Sequence, residues 1–241
     1  MHRAIHTVSF ALIAAGLSAC GKDSSGPTAG FECLGQPLPT TAPASITFMG
    51  QTKSGLLTQN ALSGVEVIVS RTGTDTVGAD TSSTPGRFSI SFLTGGTPVD
   101  GHLQLTKSGY LSTYAYPSRP LVANDSVGVL MITSSEFTFV ASAAGVTPVA
   151  GDGFIGVVVK NCAGTPLAGA TVSSSPAGTV KYNVGGAPSS TATTTAADGV
   201  AYIANVNAGN VTVMASASGH TLRQHVVNAR ANAITLTEIQ P

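Results

Sequence analysis

The feature that most constrains this chain is a pattern written twice. Residues 61–132 and 166–239 align with an offset of about 105 to 113 positions. Leu62-Ser63-Gly64-Val65-Glu66-Val67-Ile68-Val69 matches Leu167-Ala168-Gly169-Ala170-Thr171-Val172, and Thr84-Pro85-Gly86-Arg87-Phe88 matches Ala197-Asp198-Gly199-Val200-Ala201-Tyr202. A third stretch, Leu103 to Tyr110, matches Val211 to His220 in the same order. A repeat of that length is too long for a solenoid and suits tandem domains. Within each copy the apolar residues alternate. Val65, Val67 and Val69 share a face, and Phe88, Ile90 and Phe92 oppose Arg87, Ser89 and Ser91. Period-two alternation bounded by Gly, Pro, Asn and Asp marks half-buried antiparallel strands, and short strands between turn signals predict a sandwich.

The expected organisation is therefore all-β: one sandwich over residues 45–133, a linker over 134–150, and a second sandwich over 151–241. In the linker, Ser134 and Ser135 are candidate caps, Glu136 falls in the first turn, and an Ala-rich end precedes Gly145 and Pro148. That order predicts a short connecting helix, although Phe137 and Phe139 also alternate as a strand would.

Composition narrows the function classes. Only 9% of the 241 residues are charged, with 11 Lys and Arg balanced by 11 Asp and Glu. Such a surface cannot release enough counterions to bind nucleic acid, and it offers no polybasic patch to anionic lipid. Hydrophobic residues still make up 42%, which excludes a disordered chain.

Residues 1–19 read as a secretory signal: one charge at Arg3, then an apolar run through Phe10, Leu12, Ile13 and Leu17 with no acidic residue. The run is too short to span about 30 Å of hydrocarbon. Leu17-Ser18-Ala19-Cys20 resembles the lipobox of bacterial lipoproteins. That resemblance implies cleavage before Cys20, a diacylglycerol on its sulfur, and the membrane as a partner through this anchor. Gly21 stands where an Asp would favour inner-membrane retention, so the expected address is the outer membrane. Residues 20–44, with Pro27, Pro37, Pro39 and Pro43, read as a lipidated flexible tether. Lipidation of Cys20 leaves Cys33 and Cys162 as an even pair in an oxidising compartment, hence a candidate disulfide. Two sulfurs without a histidine cluster would make only half a zinc site.

The second copy carries a family resemblance: Pro166-Leu167-Ala168-Gly169-Ala170-Thr171-Val172, a Thr-rich stretch, Asp198-Gly199 opening a strand, Val206-Asn207-Ala208-Gly209, and a late Ser-Gly-His that is Ser-Gly-Tyr in the first copy. These motifs look like carboxypeptidase regulatory-like domains over nearly all of residues 45–240. The resemblance implies two tandem seven-stranded prealbumin-like sandwiches, with Gly64, Gly86, Gly169 and Gly199 in turns. The family's motifs specify shape and leave function to sites grafted on it.

Chemistry is sparse. His102, His220 and His225 are the histidines beyond the leader, and the five-residue separation of the last two sends them to opposite faces of a straight strand. Zincin spacing, a Gly-x-Ser-x-Gly elbow and a phosphate-cradling loop before a helix are absent from the sequence. The Tyr-Arg-Gly-Ser tail of hydroxyisourate hydrolases is absent from the sequence, which ends Glu238-Ile239-Gln240-Pro241. An internal Lys–Asn isopeptide bond would nominate Lys53, Asn124 and Glu66. No catalytic residue, metal site or cofactor is expected. Tyr110, Tyr114 and Tyr116 share parity, so one strand would present three phenols, a candidate platform for a glycan or another envelope protein. The expected role is a lipid-anchored, non-catalytic structural, adhesive or accessory binding module. The alternatives are an envelope enzyme or metal-dependent binder using His102 or His220, and a small-ligand carrier.

Overall fold

The computed structural model describes residues 28–56, 58–73 and 75–241. In the first copy the strands are β1 (Ser45–Ser54), β2 (Asn60–Ala61), β3 (Glu66–Arg71), β4 (Thr76–Thr81), β5 (Arg87–Leu93), β6 (Gly101–Thr106), β7 (Ser112–Tyr116) and β8 (Asp125–Met131). The helix α1 (Ser134–Ala143) follows. The second copy has β9 (Asp152–Val159), β10 (Thr171–Ser175), β11 (Thr179–Val184), β12 (Ala187–Ser189), β13 (Val200–Asn207), β14 (Gly209–Ala217), β15 (His220–Thr221), β16 (His225–Ala229) and β17 (Ala233–Ile239). Setting aside the short β2, β12 and β15, each copy is a seven-stranded sandwich.

In both copies the first strand lies between an antiparallel neighbour and a parallel last strand: β5–β1–β8 in one, β13–β9–β17 in the other. The duplication extends to individual hydrogen bonds. Gly64 N–H donates to the Ser82 carbonyl and Val65 N–H to Ser82 Oγ; Gly169 and Ala170 donate in the same way to Thr195. Gly86 and Gly199 occupy matching turns with φ of +78° and +66°. A Cβ on either would sit 2.5 Å or less from the carbonyl oxygen of Thr52 or Val159 on the first strand, so both positions require glycine.

One strand changes sheets between copies. β4 pairs with β3 across a hairpin, whereas its counterpart β11 pairs with β13. In the second copy β10 ends at Ser175, just before Pro176, which has no N–H to continue a ladder, and the chain crosses to the opposite sheet.

The copies are not separate beads. β17 pairs in parallel with β7, Ala233 opposite Ser112 through Thr237 opposite Tyr116, and fuses the two into one nine-stranded sheet ordered β12-β11-β13-β9-β17-β7-β6-β3-β4. Because side chains alternate faces, the two ends of this sheet are covered on opposite sides. Val67, Val69, Leu103 and Leu105 face the β5–β1–β8 sheet, which contributes Ile46, Phe48, Phe88 and Ile90. Ile155, Val157, Ala201 and Ile203 face the β10–β14–β16 sheet, which contributes Val172, Val211, Val213 and Val227.

The helix covers part of the remaining apolar face: Phe137, Val140 and Ala144 rest on Phe154, Ala204 and Ile234. Its cap is Thr133 rather than a serine. Thr133 and Glu136 form a reciprocal capping box, and Glu136 also accepts from Leu56 N–H.

In the stretch read as a tether, residues 28–44 are held against both copies. Phe31 is 4% exposed in the second copy's core, and Cys162 N–H donates to the Gly30 carbonyl. Arg223 donates to the Gln36 carbonyl, while Ala42 N–H donates to Gly96 in the first copy. Cys20 and the leader lie outside the described residues.

Candidate functional site

A sheet covered on opposite faces at its two ends leaves two re-entrant corners. The first lies where the outer face of β6 and β7 meets the edge strand β16. Here His102 on β6 stacks on Tyr116 of β7, ring centroids 5.0 Å apart, and lies 5.8 Å from Tyr114. His225 from β16 meets the edge of Tyr116 at 6.2 Å. Arg230, just past β16, places its guanidinium 3.7 Å over the Tyr114 ring and donates to the Tyr116 hydroxyl at 3.3 Å. Burial holds both imidazoles below their ordinary pKa. Arg230 adds to the effect at His102, while Asp100 opposes it at His225.

Tyr114 and Tyr116 thus share a face, but Tyr110 belongs to the turn after β6 and lies against the first copy's core, away from the other two. His225 Nδ1 and Thr237 Oγ1 are 2.7 Å apart, a hydroxyl–imidazole pair. Thr237 is 3% exposed, and the pair ties β16 to β17. His220 stands elsewhere, 4.6 Å from the Phe31 ring and bonded to Thr28. No group of three or more metal-ligating side chains occurs among the described residues.

The second corner lies between the edge strand β8 and the outer face of β9, β13 and β17. It is a cleft of about 420 Å3. Phe48, Val99, Leu103 and Val129 form its inner end; Gly156, Val158 and Leu236 form its floor. Lys160 and Glu238, an ion pair, stand at its half-exposed rim with Asp125.

The remaining candidates are dispersed. Cys33 and Cys162 are disulfide-bonded, Cα atoms 5.6 Å apart, and Arg119 donates to Cys33 Sγ and to the Pro241 carbonyl. Lys53, Asn124 and Glu66 do not converge: Lys53 lies opposite Ala61, Asn124 accepts from Thr47 N–H, and Glu66 accepts from Thr106. The sequence reading passed over Arg230 and gave His225 no partner but His220. The tyrosine rings that both residues meet lie on a strand more than 100 positions away, so no local spacing could have shown those contacts. The cleft likewise had no sequence signal, because its walls come from both copies.

Fold and corners together define the class: a fused pair of seven-stranded β-sandwiches. No protein-family model and no curated protein sequence matches the chain. Among solved structures it is similar to the Bacillus anthracis TIE protein, with 12% identity over 83% of this chain and a TM-score of 0.25. The chain spans about a third of that protein, 34%. It is also similar to the shaft pilin SpaA from Lactobacillus rhamnosus GG (12% identity, 84% of this chain and 98% of that one, TM-score 0.24). BcpA, the major pilin subunit of Bacillus cereus, gives 8% identity over 81% of this chain and 99% of that one, with a TM-score of 0.28. Likenesses at that level carry no shared arrangement of strands, and the fold stands on the chain's own pairing.

Proposed function

We propose that the chain is a non-catalytic spacer of a bacterial envelope, held to the outer membrane by lipid on Cys20 and presenting its far end to a glycan or another envelope protein. The observation that carries this reading is the β17–β7 pairing. Five residues of β17 are in register with β7, so backbone hydrogen bonds join the two sandwiches. A fused sheet cannot hinge as two domains on a linker would. Among the described residues no helix is long and apolar enough to cross a membrane.

The fixed N-terminal strap sets the polarity. Thr28 is bonded to His220 of the second copy, and residues 21–27 between Cys20 and Thr28 reach at most about 25 Å. The His220 end then faces the bilayer and the first copy stands distal. Carboxypeptidase regulatory-like ancestry, suggested by the motifs of the second copy, fits this role because such a fold contributes shape and spacing.

Spin labels at Ser89→Cys on β5 and Ser173→Cys on β10, both exposed sites, test the rigidity. One narrow distance distribution is expected. A broad distribution would refute the spacer, and a Cys20→Ser protein that stayed in the membrane fraction would refute the lipid anchor.

A further inference from the structure

Among the described residues, the cleft beside β8 is an apolar part of the continuous sheet left without a cover. Across the face that includes it, the register aligns Tyr202, Gly156, Leu236, Ala115, Leu103 and Val69 in one row. At the first-copy end of the row Leu103 and Val69 are buried in that copy's core. One residue pair farther along the second-copy strands, Phe154 and Ile234 are covered by α1. Between these covers Gly156, Val158, Leu236 and Tyr202 remain half-buried. The floor then continues inward to Phe48, Val99 and Val129, so the cleft is deep as well as apolar. Its volume of about 420 Å3 falls in the range of roughly 300–1,000 Å3 in which small ligands are held.

The rim decides the ligand's polar end. Asp125 and Glu238 bring two negative charges and Lys160 one positive charge, already paired with Glu238. β8 hydrogen-bonds only to β1, which leaves the N–H and C=O groups of its other edge at the mouth for a polar head. Among the described residues lining the cleft the one cation, Lys160, is paired with Glu238, so an anionic head would meet Asp125 unoffset.

We infer that this cleft is a binding site for a single-tailed amphiphile whose head is neutral or cationic, tail inward against Phe48, Val99 and Leu103, and head at the Asp125–Glu238 rim. The site lies within one chain and does not depend on lipid anchoring or on assembly.

Titration of the purified chain at pH 7.5 with the uncharged fluorophore N-phenyl-1-naphthylamine reads the site. Saturable enhancement at one probe per chain is expected, displaced by decyltrimethylammonium below its micelle concentration and at least tenfold less well by decanoate. Ala115→Leu, which fills the cleft from β7, and Val158→Glu, which charges its floor from the second copy, each weaken probe binding at least tenfold. Val226→Ser, on an exposed site of β16, leaves it unchanged. Because the two cleft variants sit in different copies, one remains readable if the other fails to fold. Enhancement that does not saturate, equal displacement by the two competitors, or wild-type binding in folded Ala115→Leu or Val158→Glu would overturn the proposal.

Discussion

His102 and His225 are the titratable groups on which this molecule's pH response turns. Both lie in the corner between copies, both carry pKa values pushed below the ordinary 6.5 by burial, and they flank the same Tyr116 ring. A depressed folded-state pKa means that the unfolded chain binds protons first as pH falls. Stability is therefore level above about pH 6.5 and is lost as the pH drops through the folded values. Thermal unfolding recorded from pH 8 to pH 5 should show a melting temperature that is constant and then declines. His102→Gln, which removes the more enclosed imidazole, should shallow that decline. An unchanged slope would show that the corner's imidazoles do not control acid stability. Burial comes first at His102, and Arg230 adds to the depression while its guanidinium lies on Tyr114, so one cation both packs the corner and disfavours the imidazole's charged form.

Among the elements, α1 shows how local signals and tertiary cover combine. Glu136 closes the capping box with Thr133, and the Thr133 N–H holds its carboxyl below the usual range. The same carboxylate accepts from Leu56 N–H in the loop after β1. Glu136→Ala removes the acceptor of Thr133 N–H and Leu56 N–H and should cost about 1 kcal/mol, the net worth of a typical hydrogen bond. It should also free the loop after β1, which amide exchange at Leu56 would report as faster than in the parent chain. The alternation of apolar residues placed β3 and β5, and Val67, Val69, Phe88, Ile90 and Phe92 are buried as their parity requires. Whether β11 would follow β4 into the same sheet was not legible. The choice turns on how a chain leaves β10 past Pro176, and the pattern of β11 itself says nothing about it.

At the level of the whole molecule, the disulfide and the fused sheet together make one body of two sandwiches. Cys33 and Cys162 close a loop of 129 residues, for which the chain-entropy account gives a stabilisation of about 4 to 5 kcal/mol. Urea unfolding with and without reductant should differ by roughly that amount in midpoint-derived free energy. Reduction should also open residues 28–44 to protease while the sandwiches stay protected, since the strap is then tied to the second copy only by Phe31 and single hydrogen bonds at Thr28, Gly30 and Gln36. Equal stability in both redox states would mean that strap and sheet already constrain the unfolded chain's closure by other means.

The sequence by itself determined the duplication, the strand parity, the turn glycines such as Gly86 and Gly199, and that each copy is a sandwich. All of these follow from side-chain period and from which residues tolerate a positive φ. Only the tertiary structure decided that β17 would join β7, that Phe31 would bury itself in the second copy, and that His102, Tyr116 and His225 would meet. Strand addition uses main-chain donors and acceptors that every residue carries alike. Side chains fix which face a strand shows and leave open which edge it will find.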